Sequence, residues 1–383
     1  ELALRAEAEG REAAEVALTN AHTFAALGEL EHARERLAAA RDVNLTAVVD
    51  SDYHYDYTKK KKSFGRSKTT ENETLDQTVT GGVINAGGNI LVNAHVDSTG
   101  KLVTDESGNV NLVGATLNAG GSAVVAADED INITGMTYEE LDFHRKKKSG
   151  VGGLSKKDKG AVEADTRLQN ALIAAGGDAH LLSGNNLTLA ATNVLVDGNI
   201  NLEAVDKLLI TAGDVVSNSE RWSKKSGIGS GGNLYGSKEH KSGEGVTSGQ
   251  ASTLTAGGKI TGRVGSGEII GSDLTGTGGV KIVSDMGDIE VNASRTTVQS
   301  YSHDKEMSVG LGDMVKGLTR PDQLVKNEDG RATVKLADAQ YDQVDTKTTT
   351  TNMRGSTITS DEDITLIASA GGVTITGSTL VAD

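Results

Sequence analysis

The sequence predicts an all-β fold of stacked short strands, on three observations: a thin apolar content, alternating runs parted by turn formers, and one motif that returns four times. Apolar residues make up 36% of the 383 residues and aromatics 3%, below the ~45–50% apolar share of an ordinary globular domain. With 48 glycines and one proline, Pro321, a broad three-dimensional core is not expected. Disorder is disfavoured by recurrent β-branched runs such as Val43-Asn44-Leu45-Thr46 and Ile131-Asn132-Ile133-Thr134. A narrow, repetitive β core reconciles these features.

Residues 1 to about 41 stand apart, being rich in Ala, Glu, Leu and Arg with few β-branched residues, and the pattern predicts a helical leader. Within it, Gly28 to Leu37 looks like the second helix of a helical-repeat unit. A cap over the open end of the first coil is one role for this segment, and an unrelated flanking domain is the other.

Residues 42–383 carry the repeat. Its first anchor reads Asp42-Val43-Asn44-Leu45-Thr46, Asp130-Ile131-Asn132-Ile133-Thr134, Asp206-Lys207-Leu208-Leu209-Ile210 and Asp288-Ile289-Glu290-Val291-Asn292, with leading aspartates 88, 76 and 82 residues apart. A second anchor follows each, at Ser63, Ser149, Ser226 and Ser308, spaced by 86, 77 and 82. The third comprises Ala86-Gly87-Gly88-Asn89, Ala175-Gly176-Gly177-Asp178, Ala256-Gly257-Gly258-Lys259 and the diverged Ser360-Asp361-Glu362-Asp363. Three ordered anchors with one period of roughly 80 residues define a repeat array. The last interval is longer, and the excess around Leu318 to Asp342 predicts a loop insertion.

Between the anchors, runs such as Asn186-Leu187-Thr188-Leu189-Ala190 and Gly198-Asn199-Ile200-Asn201-Leu202 alternate in hydropathy and recur every ~8–13 residues. Two or three such strands make a coil of about twenty residues, the scale of a parallel β-helix rung. The segments near 53–80, 137–163, 216–248 and 296–352 break this rhythm with longer Thr- and Lys-rich stretches. They predict hairpins projecting from the stack, whose charges would discourage edge-to-edge association.

The formal charge of −15 argues against nucleic acid as a partner. There is no cysteine, so no disulfide or thiolate metal site is needed. No run of 18 apolar residues predicts a membrane-spanning helix. The start at Glu1, with neither Met nor a signal peptide, fits an internal fragment.

These anchors resemble the haemagglutinin repeat of filamentous haemagglutinin-like exoproteins of the two-partner secretion type. The strand Arg41 to Ala47 leads into a polar stretch ending in Lys61-Lys62-Ser63-Phe64-Gly65, which matches the family's Lys-Ser-aromatic-Gly signature. The fourth repeat departs, with Glu306-Met307 in place of the lysine pair and Asp361-Glu362 in place of Gly-Gly. The resemblance implies a right-handed parallel β-helix in a secreted filament at the bacterial outer cell surface. It further implies export through an outer-membrane two-partner transporter and contact with a neighbouring or host cell. Long-hairpin repeats of this type suggest the stalk or delivery region of a contact-dependent growth inhibition effector, with a filamentous adhesin as the alternative.

No residue is assigned a catalytic, cofactor-binding or metal-binding role. His54, His144, His240 and His303 lie in the projecting segments near Asp56, Asp142 and Asp304, but without ligand spacing, and solvated loops account for them. Gly229 to Asn233 approaches a calcium-binding nonapeptide yet lacks its aspartate. A β-helix polysaccharide enzyme would gather carboxylates at one place, whereas Asp42, Asp130, Asp206 and Asp288 recur once per repeat, as turn residues do. Lysine runs at Lys59 to Lys62 and Arg145 to Lys148 are candidates to touch anionic lipid or lipopolysaccharide, with a solvated hairpin as the favoured reading. The asparagines of Asn44-Leu45-Thr46 and Asn132-Ile133-Thr134 are expected to stack from coil to coil rather than carry glycan.

Overall fold

The computed structural model describes residues 3–8, 11–19, 34–39, 41–94, 108–228, 234–310 and 338–383. Regular structure among them is entirely strand, apart from 3-10 turns at Ser63–Gly65 and Val151–Gly153. Three short strands on three faces make one coil. Ala179–Ser183, Leu187–Ala190 and Thr192–Val196 form one such coil, and Ile200 opens the next directly beside Ala179.

Because side chains alternate along a strand, each four- or five-residue strand turns only two or three side chains inward. Parallel in-register pairing then stacks like on like. Val43, Val110, Ile131, Leu187 and Leu208 are successive partners on one face, all essentially unexposed. Leu117, Ile173, Val194, Leu254, Leu274 and Ile358 form a matching column on another. A chain poor in apolar residues can fill a core this narrow, and the parallel all-β arrangement is consistent with a β-solenoid.

The corner from the second to the third face alternates between two solutions. In every other coil the chain turns tightly through one left-handed residue, Gly114, Ala191, Gly271 or Gly377, with φ of 60°, 49°, 54° and 61°. In the intervening coils it leaves the stack as a long antiparallel hairpin. The four pairs of hairpin strands are Val48–Lys61 with Ser67–Thr80, Met136–Ser149 with Ser155–Gln169, Gly213–Ile228 with Tyr235–Gln250, and Ser294–Gly310 with Asp338–Arg354. The ~80-residue period is therefore two coils, one plain and one bearing a hairpin.

The hairpins do not stand alone. Each pairs along most of its length, from the tip inward, with the next, giving one eight-stranded antiparallel sheet, a fin beside the stack. Spacing explains the fit, since two coils rise by about 9.6 Å and a hairpin two strands wide occupies the same distance. The hairpin charges, expected to discourage edge-to-edge association, do not keep neighbouring hairpins apart. Within the chain the charged strands are one another's edge partners.

The helical leader expected over residues 1–41 is also corrected. Ala3–Ala8 and Arg11–Thr19 are antiparallel strands, and Arg34–Ala38 runs parallel to Asn89–Asn93 as the first face of the first coil. Helix preference among Ala, Glu, Leu and Arg amounts to only tenths of a kcal/mol per residue. An open sheet edge outweighs it by offering a full row of backbone partners. Arg11–Thr19 in turn pairs with the outer edge of Arg34–Ala38. Residues 28–33 of the expected second helix, most of the expected insertion and Gly229 to Asn233 lie outside the described residues.

Candidate functional site

The turn aspartates do structural work at the coil corners. Asn109 donates through its backbone N–H and its side-chain amide to Asp42 Oδ1, at 2.8 and 2.9 Å, and Asn186 does the same to Asp130 Oδ1, both at 3.0 Å. Asp288 Oδ1 accepts from the Gly372 N–H at 2.7 Å. Asp206 sits one residue out of line, since Lys207 precedes Leu208, the partner of Leu187. Asn44, Asn111 and Asn132 form the expected amide ladder, with bonds of 2.9 and 3.0 Å.

The Gly-Gly anchors mark another corner, where backbones of adjacent coils touch. A Cβ on Gly120 would lie 2.3 Å from the Gly87 carbonyl oxygen, and one on Gly176 would lie 2.5 Å from that of Gly120. The serine anchors are not equivalent. Ser149 and Ser226 both pair with Lys156, Ser308 lies one residue nearer the tip, and Ser63 is in the tip turn itself.

Polar chemistry collects on the fin, where pairing decides which side chains share a face. One face carries a small aromatic cluster and matched charges. Phe143 and Trp222 stack with centroids 5.9 Å apart. Arg145 grips Asp158 with two bonds of 3.1 and 2.7 Å, and the Trp222 indole N–H donates to the same carboxylate at 3.4 Å. The Arg145 hydrogen bonds hold the Asp158 carboxyl below its ordinary pKa. Lys147, Asp158, Lys224, Glu239 and Lys305 alternate in sign across five strands, and Lys224 Nζ lies 2.7 Å from Glu239 Oε2.

The opposite face is segregated. Toward its base, Asp52, Asp76, Glu140 and Asp165 are consecutive cross-strand neighbours. Arg167 meets Glu140 at 2.6 Å. Toward the tips, Lys60, Lys68, Lys148, Lys157, Lys225 and Lys238 are consecutive neighbours on six strands, and the row ends at Glu306 and Asp342. Lys238 reaches Glu306 at 2.7 Å, while the other five lysines have no ion-pair partner among the described residues. Neither row shows in the sequence, because the acidic members run from Asp52 to Asp165 and the lysines from Lys60 to Lys238, and only the register assembles them.

The fin histidines meet single polar partners. His54 Nε2 lies 3.1 Å from Asp56, His240 Nδ1 2.6 Å from Asp304, and His303 pairs with Asp345. His144 faces Asn72, not Asp142. Among the described residues no group of three or more acidic, His or Cys side chains is placed to hold a metal. A shallow depression on the fin is lined by Ser219, Arg221, Ser242, Tyr301, Ser302 and Thr346.

The span from the first tip to the base of the second hairpin decides the likeness. Residues 62–166 match the Hemagglutinin repeat family model. The match takes in one period of the array and supports a filamentous haemagglutinin-like repeat protein. Hemagglutinin repeats belong to secreted or cell-surface bacterial proteins with structural and adhesive rather than enzymatic roles. No curated protein and no solved structure matches the chain.

Proposed function

We propose that the chain is a right-handed β-solenoid segment of a large secreted bacterial filament, serving as its stalk or delivery region. The carrying observation is the shared rise of coil and hairpin, which locks stack and fin into one repeating body that extends by adding periods. On this reading the polar groups recur as a scaffold places them. Arg11–Thr19, with Ala3–Ala8 paired outside it, caps the first coil's edge.

Export through an outer-membrane two-partner transporter suits such a body, because each coil can form on the one already emerged. Of the two filament classes, we favour a contact-dependent growth inhibition effector, since the hairpin-bearing repeat is an elaborate stalk. An adhesin is the alternative, favoured by the broad polar face of the fin. An inhibition effector requires a toxin module elsewhere in the full protein and an immunity protein encoded beside it. Electron microscopy of the full secreted protein should show a filament with coils spaced about 4.8 Å apart inside an axial repeat of about 9.6 Å. Compact particles without that repeat would refute the filament reading.

A further inference from the structure

The tip margin of the fin combines two features that no scaffold role requires. The first is the lysine row. Like charges directly opposite one another weaken a sheet, yet six strands in succession present lysine at the same height. On the other face, one row further in, lysines alternate with Asp158 and Glu239. Over these six strands the tip margin of the fin is therefore neutralised on one face and cationic on the other.

The second feature is apolar. Phe64, Val151, Leu154, Ile228 and Leu234, at or beside the tips, are all exposed, Phe64 by 81%. Phe64 also adopts a left-handed backbone with φ of 62°, where the matching turn of the second hairpin has Gly152 at 57°. A bulky residue is strained there, and a glycine would not be. The strain persists at a position that holds a phenyl ring out into solvent.

From this juxtaposition we infer that the tip margin of the fin is a docking edge for a lipid bilayer bearing anionic headgroups. The lysines supply attraction to the headgroup phosphates, and the apolar tips supply insertion at the level of the acyl boundary. A soluble linear polyanion would satisfy the lysines and leave the tips unexplained, so lipid is the favoured occupant. The chain's overall negative charge does not oppose edge-on contact. The acidic row at Asp52 and Asp76 lies eight residues from the lysine row, about 27 Å along the strands, well beyond the Debye length of ~8 Å at physiological salt. The inference holds for stalk or adhesin alike.

Flotation of the whole chain with vesicles tests it. The protein should float with phosphatidylglycerol–phosphatidylcholine vesicles and stay at the bottom with phosphatidylcholine alone. Lys148→Glu/Lys157→Glu/Lys225→Glu should weaken partitioning by about a hundredfold or more, at roughly fivefold per lysine. Phe64→Gly relieves the turn, so it should fold at least as well, and it should weaken binding several-fold. Trp222 fluorescence serves as the folding control. Binding to dextran sulfate with no flotation, or flotation unaffected by both variants in folded protein, would overturn the proposal. Filaments seen by microscopy would be untouched by either outcome.

Discussion

At the scale of single residues, the molecule is governed by what one coil allows its neighbour. Gly87 and Gly120 look alike in sequence, but a Cβ on Gly87 meets nothing within 4 Å, whereas one on Gly120 strikes the Gly87 carbonyl. Gly120→Ala should therefore cost about 1–3 kcal/mol by forcing two coils apart, and Gly87→Ala should be nearly neutral. Urea unfolding of the two variants side by side separates them, and equal effects would contradict the close-approach account. A second residue-scale expectation concerns acid. Asp158 and Glu239 have depressed pKa values, each chiefly from the hydrogen bond to its basic partner, Arg145 or Lys224. Their stabilisation is complete above the ordinary carboxylate range of about 3.9–4.3 and is lost as pH falls below it toward their folded values. Trp222, the single tryptophan, touches Asp158 and reports the change. Its emission should stay constant from neutral pH down to about 5 and shift below about 4, and Asp158→Asn should remove most of that shift.

At the scale of elements, strands were legible and their partners were not. Ile131 to Thr134 or Leu187 to Ala190 alternate so regularly that only a strand with one buried face fits, and both are such strands. Length and threonine content predict hairpins in the longer stretches. Their zipping into one fin was not legible, because the rule that charged edges repel ignores a tether that holds each hairpin at strand spacing from the next. Ala3–Ala8, Arg11–Thr19 and Arg34–Ala38 misled for a related reason, since local preference there is weaker than the hydrogen bonds of a waiting edge. The plain coils show what happens without a hairpin, as Ala190 reaches Thr192 through Ala191 alone. Replacing residues 136–169 by a Gly-Ser corner should therefore leave the coil stack intact and remove two strands from the middle of the fin. Val48–Lys61 with Ser67–Thr80 would then lack its neighbour on one side, as would Gly213–Ile228. Limited trypsin digestion should cut the variant at Lys224 and Lys225 at least tenfold faster than the parent, because edge strands open locally far more readily than central ones. Unchanged protection would mean that the hairpins fold independently.

At the scale of the whole molecule, two stacks with one rise share a single axis, and their proportions set the shape. Eight coils among the described residues rise by about 38 Å, and fin strands of 14 to 17 residues reach roughly 48–58 Å from the stack. The segment is therefore broader across its axis than along it, and it becomes a rod only as periods accumulate. Small-angle X-ray scattering should find a flattened particle whose longest dimension comes from the fin. A variant in which all four hairpins are replaced by two-residue corners should lose that dimension while keeping the ~38 Å axial height, since coil contacts alone bury the apolar columns. If the stack collapses instead, the fin is a structural brace on which the coils depend. If the height survives, the fin is dispensable to the fold, and its segregated face must be accounted for by what it meets outside the molecule.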